Sequence, residues 1–361
     1  MDAQGSIDLR EHVRAGGLLP ARSPVVVMLS GGRDSVCLLD LAVDLCSADR
    51  VSALHVNYGL RDTAGEDQVY CEALCARLRV SLRVLRAERP GGEGGGAGRS
   101  AGNLQAWARD VRYAAALRIA LQIDAHAHAR VPTALVAAGH TATDQVETIL
   151  YRLAASPGRR ALLGMSAREG QLVRPLLGVT REQTAAHCIE RGLTWRDDLS
   201  NDSDVYARAR VRHGLLPALR AVHPAADANV LRTAELLREE TQLLDGLVDA
   251  ELGGGDGGGR SGGGRGEGGA RGAPADSIAL DRLAALHPAL ARLVLVRLAE
   301  RAAGPGAFVP QAGDRVGEIL ALARRGGRAE LHIGGLLAAV IGDGRLRMVK
   351  IAPHYPSPHA D

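Results

Sequence analysis

The sequence predicts an α/β fold, a doubly wound parallel sheet followed by a helical segment and a small C-terminal α+β domain. Three observations over residues 24–200 carry the prediction. Short apolar, β-branched runs recur, and Val25-Val26-Val27-Met28-Leu29 is the clearest. Each run is followed by apolar residues at helical spacing. Uncharged runs of this length read as strands covered on both faces, as in parallel sheets. Gly31, Asn57 and Gly139 each follow a run. In such sheets ligands sit beyond the carboxyl ends of the strands, so all three lie at the ligand edge.

Taken in order, Val36, Leu38, Leu39 and Val43 predict a helix after the first strand. Residues 51–56 are a second strand, 65–79 a helix, 82–85 a third strand and 103–123 a helix. Residues 134–138 form a further strand, and a helix starts near 142. This is the β-α-β alternation of a layered α/β domain. Residues 205–251 are helical and Arg-rich, and 276–302 read as an amphipathic helix pair. Residues 330–333, 337–341 and 346–351 form a β meander, with turns at Gly334-Gly335 and Gly342-Asp343-Gly344. Two tracts, 91–102 and 253–272, are too glycine-rich to build a core and read as connectors. The domains expected are 1–204 (α/β), 205–252 (helical), 253–272 (linker) and 273–361 (C-terminal).

The chain is 46% hydrophobic and 24% charged, ample for a core. A net charge of +3 neither demands nor excludes nucleic acid. No apolar stretch is long enough for a bilayer, and the polar N-terminus has no apolar signal region, so a cytoplasmic location is expected. Lys350 is the one lysine; arginine, the better phosphate fork, carries the rest of the positive charge. Cys37, Cys46, Cys71, Cys75 and Cys188 contain no CxxC pair, which favours reduced, buried thiols over a metal site.

The stretch Ser30-Gly31-Gly32-Arg33-Asp34-Ser35 joins the first strand to its helix. Glycines let the backbone approach a ligand, and a helix start presents free N–H groups, so the turn is an anion site. It lacks the lysine of a Walker loop and the GxGxxG of a Rossmann loop. An aspartate beside phosphate calls for a bridging cation, which makes Asp34 a candidate Mg²⁺ ligand. The competing reading is a plain Gly-rich turn.

SGGRDS resembles the SGGxDS signature of the PP-loop ATP pyrophosphatases. That superfamily cleaves ATP between the α and β phosphates and adenylates a carbonyl-type oxygen before a nucleophile displaces AMP. Further stretches resemble the tRNA(Ile)-lysidine synthases. His55-Val56-Asn57-Tyr58-Gly59-Leu60-Arg61 is similar to their HVNHGLR, with Tyr58 in place of His. Residues 103–113 resemble their NxExxAR..RY helix, with Gln105 where Glu is common. Residues 139–148 (GHTATDQVET) resemble GHxxDDQxET, with Thr143 for the first Asp. RPLL (174–177), WRDDLSN (195–201) and YARARVR (206–212) follow in the family's order, with Ala209 where Asn is frequent. The resemblance runs over residues 24–225.

The resemblance implies ligation of L-lysine to the wobble cytidine of an isoleucine tRNA with a CAU anticodon, giving lysidine through an adenylated cytidine. ATP would be held by Ser30, Gly31, Gly32, Arg33, Asp34, Ser35, His55, Asn57 and Gly139, with Mg²⁺ on Asp34. Catalysis would rest on Asp34, His140, Asp144, Glu147, Arg109 and Arg112. His140, Asp144 and Glu147 are four and three apart, which puts them on one helix face. The two carboxylates suit the ammonium groups of lysine, and one can deprotonate the attacking amine. The competing reading is a capped helix with a solvated acidic face. Arg208, Arg210 and Arg212 cannot all share a helix face, so some are candidates for tRNA phosphates. Tyr58 and Trp195 are candidate base-stacking residues, and Trp195 is alternatively a core anchor. Two other functions fit the first loop: a tRNA base thiolase of the same superfamily, although its CxxC pairs are missing, and a nucleotide- or RNA-binding protein without turnover.

Overall fold

The computed structural model describes residues 8–59, 64–87, 101–156, 158–196, 207–253, 276–304, 307, 309, 311–325, 327–334 and 336–351. They form two compact units, Met1–Leu237 and Arg238–Asp361. Tract 91–102 lies outside the described residues except for Ala101 and Gly102, which open a helix; tract 253–272 does so except for Gly253, which ends one.

In the first unit, helix α1 (Leu9–Ala15) precedes β1 (Val25–Met28), α2 (Arg33–Cys46), β2 (Val51–Asn57), α3 (Ala64–Leu78) and β3 (Ser81–Arg86). Then come α4 (Ala101–His126), β4 (Leu135–Ala137), α5 (Ala142–Ala155), β5 (Arg168–Glu169), β6 (Leu172–Val173) and α6 (Arg181–Glu190). The sheet order is β3-β2-β1-β4-β6-β5. All pairings are parallel except β5–β6, which is an antiparallel edge. Strand order reverses at β1, whose Val25 pairs with Val51 on one side and Leu135 on the other. The crevice beyond β1 and β4 is therefore the switch point where α/β sheets bind ligands.

Strand β1 shows why its sequence is continuously apolar. Val25, Val27 and Leu29 enter the core shared with α2, α3 and α6; Val26 and Met28 enter the opposite core with Ala116 and Ala120 of α4. Side chains alternate between faces, so a strand buried on both needs apolar residues at every position. Edge strand β3 carries exposed Arg83 and Arg86, charges that discourage further strand pairing.

A continuous helical segment follows: α7 (Ala207–Arg210), a single π turn (Val211–Leu215) and α8 (Leu216–Val222). Val211 and Leu216 pack on Val146 and Leu150 of α5. These two are five apart, the spacing of the i→i+5 bond that Leu216 N–H makes to the Val211 carbonyl. Helix α9 (Ala226–Gly253) begins in this unit.

The second unit holds an antiparallel sheet of order β7-β10-β9-β8: β7 (Ser277–Ala279), β8 (Ala329–Gly334), β9 (Leu337–Gly342) and β10 (Arg345–Lys350). The predicted meander is present. Its last turn has Asp343 at φ 52° and Gly344 at φ 70°, the two positive values a tight hairpin requires. The helix pair expected from residue 276 is corrected at its start. Ser277–Ala279 is a strand paired with Arg345–Arg347, and the helices are α10 (Leu280–Ala285) and α11 (Pro288–Ala303). Three residues are too few to display a period of two. Helices α12 (Gln311–Asp314) and α13 (Val316–Arg325) complete the unit. Its core gathers Val248 and Leu252 with Ile278, Leu295, Ile319 and Leu346.

Candidate active site

The SGGRDS turn closes on itself through its hydroxyls. Gly31 sits at φ 88°, a conformation L side chains rarely adopt, and Gly32 caps α2. Ser30 N–H donates to Ser35 Oγ (3.2 Å), Ser35 Oγ donates to the Gly32 carbonyl (2.8 Å), and the two hydroxyls lie 3.1 Å apart. At the start of α2, Ser35 N–H donates to the Gly32 carbonyl (3.0 Å) and Gly32 N–H to Ser30 Oγ (3.3 Å), and the positive end of the helix dipole faces the switch point. From the far side, α6 supports the loop. Thr184 Oγ1 donates to Asp34 Oδ1 (2.6 Å), and Arg33 Nε donates both to that oxygen and to Thr184 Oγ1 (3.1 Å each).

Gly139, after β4, meets this loop directly. A Cβ there would stand 3.1 Å from the carbonyl carbon and oxygen of Asp34 and 3.2 Å from the Ser35 nitrogen. Those are backbone atoms, so any side chain there would force the turn or Gly139 itself to shift by a few tenths of an ångström. The chain then turns into α5, where Thr141 and Asp144 form a capping box. Thr141 N–H donates to Asp144 Oδ2 (2.9 Å), as does its hydroxyl (3.0 Å).

His140, Asp144 and Glu147 do come together at the start of α5, and both carboxylates are already paired. Asp144 Oδ1 accepts from Arg181 Nη2 at 2.9 Å. Glu147, 2% exposed, accepts a two-pronged bond from Arg212, Nε to Oε1 at 2.7 Å and Nη2 to Oε2 at 2.9 Å. The solvated acidic face of the competing reading is therefore absent, while its helix cap is present. Burial works to raise the Asp144 carboxyl; Arg181, the Thr141 N–H and hydroxyl, and His140 outweigh it and hold the pKa below the usual 3.8. Burial pulls His140 down to about 4 against the pull of Asp144, helped by Arg174, Arg109 and Arg112. His140 is thus neutral at pH 7, and its buried Nδ1 has no hydrogen-bond partner among the described residues.

Arg109 and Arg112 of α4 flank the Tyr113 ring, at 4.5 and 5.8 Å from its centroid. Arg112 Nε, the Tyr113 hydroxyl and Arg174 Nε are buried without hydrogen-bond partners among the described residues. Unfilled donors beside a neutral imidazole suit an anionic ligand, since buried polar groups are ordinarily bonded. Arg208 and Arg210 are exposed, whereas Arg212 turns inward to Glu147. Arg220 pairs with Asp227.

The remaining candidates are placed as follows. His55 is 4% exposed and its Nδ1 lies 3.0 Å from the Leu29 carbonyl, beneath the loop. Asn57 ties its own loop, donating to the Ala64 carbonyl and Gln68 Oε1 and accepting from Gly59 N–H. It also lines a cleft of about 660 Å³ with Glu66, Arg86 and Arg196, and the Arg196 N–H donates to the Gly31 carbonyl. Tyr58 packs edge-on against Trp107 and donates to the Ala108 carbonyl. Trp195 packs against the core of the first unit. Leu60, Arg61, Asp197 to Asn201 and Tyr206 lie outside the described residues. Sequence reading missed Arg181 and Thr184; the Thr180–Gln183 capping box at the start of α6 is the signal that places them on a helix start.

Loop, sheet order and switch point define a PP-loop nucleotide domain, and the PP-loop domain family model matches residues 9–219. Two curated relatives narrow this. A tRNA(Ile)-lysidine synthase of Salinispora arenicola is 36% identical over 339 residues, 90% of each chain. One of Pseudomonas fluorescens is 36% identical over 234 residues, 63% of this chain and 48% of the relative, so the chain spans about half the length of that protein. A solved U34-tRNA thiolase, NcsA of Methanococcus maripaludis, is 16% identical with a TM-score of 0.49 over 64% of this chain and 78% of its own, too slight a likeness to weigh in the assignment. The chain belongs to the tRNA(Ile)-lysidine synthase family.

Proposed function

We propose that the protein ligates L-lysine to the wobble cytidine of an isoleucine tRNA with a CAU anticodon, through a cytidine adenylated by ATP. One observation carries the reading: Gly139, directly before His140 and three residues before α5, packs against the Asp34–Ser35 backbone of the turn. An adenylated base at the switch point would lie within reach of the turn and of the start of α5. Ser30, Ser35 and the N–H groups of α2 spread charge on the departing pyrophosphate. Asp34 would hold a magnesium ion through Oδ2: Oδ1 is taken by Thr184 (2.6 Å) and ion-paired with Arg33 (3.1 Å), while Arg181 stands 3.9 Å from Oδ2. One carboxylate plus phosphate oxygens is a usual magnesium environment. Bound there, the ion would offset phosphate charge.

Arg109, Arg112 and Arg174 supply donors to the phosphates or to the adenylated base. Neutral His140 can accept a hydrogen bond or a proton there, which an imidazolium cannot. Asp144 and Glu147 hold the lysine amines, and Arg208 and Arg210 meet the tRNA. The five cysteines are all buried, which disfavours the thiolase alternative, a chemistry that needs a reachable thiol. The test is incorporation of labelled lysine into the CAU-anticodon isoleucine tRNA, with ATP and magnesium, read by nucleoside mass. Lysine on the wobble cytidine supports the reading; ATP binding without incorporation overturns it.

A further inference from the structure

Both carboxylates assigned to lysine are occupied by the protein's own cations, and the two pairs differ. Asp144 is fixed by its capping box and keeps Arg181 on one oxygen. Glu147 has both oxygens taken by one guanidinium, that of Arg212. The fork leaves acceptor sites on both oxygens, but at 2% exposure, with Arg212 lying across the carboxylate, an ammonium gains full access to Glu147 when that fork opens. Nor can Arg212 simply leave, because the cation then closest to Glu147 among the described residues would be Arg181, 3.9 Å from Oε1 and already bonded to Asp144, a weak substitute for the fork at 2% exposure. One cation must replace the other.

Arg212 is placed to move. It belongs to the π turn Val211–Leu215, a rare element found mostly at functional positions. Val211 and Leu216 pin that turn to α5, so the side chain can exchange partners while the backbone stays packed. Arg208 and Arg210, just before it, are exposed. They form a cationic approach to an RNA backbone, and a phosphodiester accepts a guanidinium fork as a carboxylate does.

We propose that Arg212 orders substrate binding: it neutralises Glu147 in the RNA-free enzyme and passes to an RNA phosphate when RNA binds, freeing Glu147 for the lysine ammonium. The inference rests on the functional reading above. RNA then tightens lysine binding, and by linkage lysine tightens RNA binding by the same factor. The enzyme holds lysine poorly until a nucleotide acceptor is in place.

The test measures the dissociation constant of labelled lysine by equilibrium dialysis. Its arms are free protein, protein with a CAU anticodon stem-loop, and protein with an ATP analogue uncleavable between the α and β phosphates. RNA should tighten lysine by about tenfold or more in the unaltered protein, within the usual range of coupling. In Arg212→Gln, lysine should bind the RNA-free protein more tightly and the RNA effect should shrink to about twofold or less. Arg212→Lys, which keeps a cation and loses the fork, should restore an intermediate effect even if the glutamine variant folds poorly. A merely structural arginine would alter melting temperature and leave the ratio intact. An undiminished ratio in both variants overturns the proposal, as does an ATP analogue that reproduces the whole effect without RNA. Lysine transfer to tRNA without any coupling would sink this inference alone; neither transfer nor lysine binding would sink the functional reading as well.

Discussion

Replacing Gly139 by alanine tests the contact on which the site is built. The added Cβ would meet Asp34 C and O at 3.1 Å and Ser35 N at 3.2 Å. Ordinary contact begins near 3.4 Å, so the turn after β1 or the start of α5 must shift by a few tenths of an ångström. Overpacking of this kind costs about 1–3 kcal/mol. At roughly 2–4 °C per kcal/mol for a large domain, melting should fall by about 2–12 °C. The effect on turnover should be larger than stability alone suggests. A misplacement of 1 Å costs about a hundredfold, so a shift of several tenths predicts a loss of about three- to tenfold in pyrophosphate release at saturating ATP. The assay is tRNA- and lysine-dependent pyrophosphate release, run beside a thermal melt at a temperature where the variant stays folded. Wild-type melting and turnover in Gly139→Ala would refute the reasoning. It would mean that the loops have room to spare.

Other outcomes follow from the same geometry. His140 has a folded pKa of about 4 against 6.5 unfolded, so its neutral burial contributes stability above pH 6.5 that is lost as pH falls from 6.5 towards 4. The span corresponds to about 3 kcal/mol as an order of magnitude, and His140→Asn should flatten stability over that window while leaving acid unfolding below pH 3.8, where Asp144 and Asp40 protonate. Asp144→Asn and Glu147→Gln should raise the lysine concentration needed for half-maximal rate by about tenfold or more and leave ATP affinity within about twofold, measured by steady-state kinetics and nucleotide binding; lost ATP affinity with unchanged lysine dependence would reverse the assignment. Tyr58→Phe removes one hydrogen bond to the Ala108 carbonyl and should cost about 0.5–1.5 kcal/mol in urea unfolding with turnover and RNA affinity unchanged; weakened RNA binding would return Tyr58 to the role of a base contact.

Most of the first unit was legible because its signals are local. The β1 run is apolar at every position since both faces are covered, and the Ser30–Ser35 turn announces itself by glycines and hydroxyls between a strand and a helix. The grouping of His140, Asp144 and Glu147 was also local, a matter of helical spacing. What joins the carboxylates to arginines was not. Arg181 is 37 residues from Asp144 and Arg212 is 65 from Glu147, and no periodicity links them. The same limit hid the partners of Asn57, which bonds to Ala64 and Gln68 of α3, and of Tyr58, whose ring meets Trp107 of α4. Strand β7 escaped because three residues against β10 gain their identity from a partner almost 70 positions away.

The central claim is that the turn after β1 and the acidic start of α5 serve one reaction. Its most direct test supplies the purified chain with magnesium, ATP, labelled lysine and a CAU-anticodon isoleucine tRNA, with a methionine tRNA as control, and reads the digested nucleosides by mass. Lysine on the wobble cytidine of the isoleucine tRNA alone, with pyrophosphate released in equal amount, is the predicted result. Pyrophosphate released with no lysine joined to RNA, or no pyrophosphate at all from a protein that binds ATP, would contradict it.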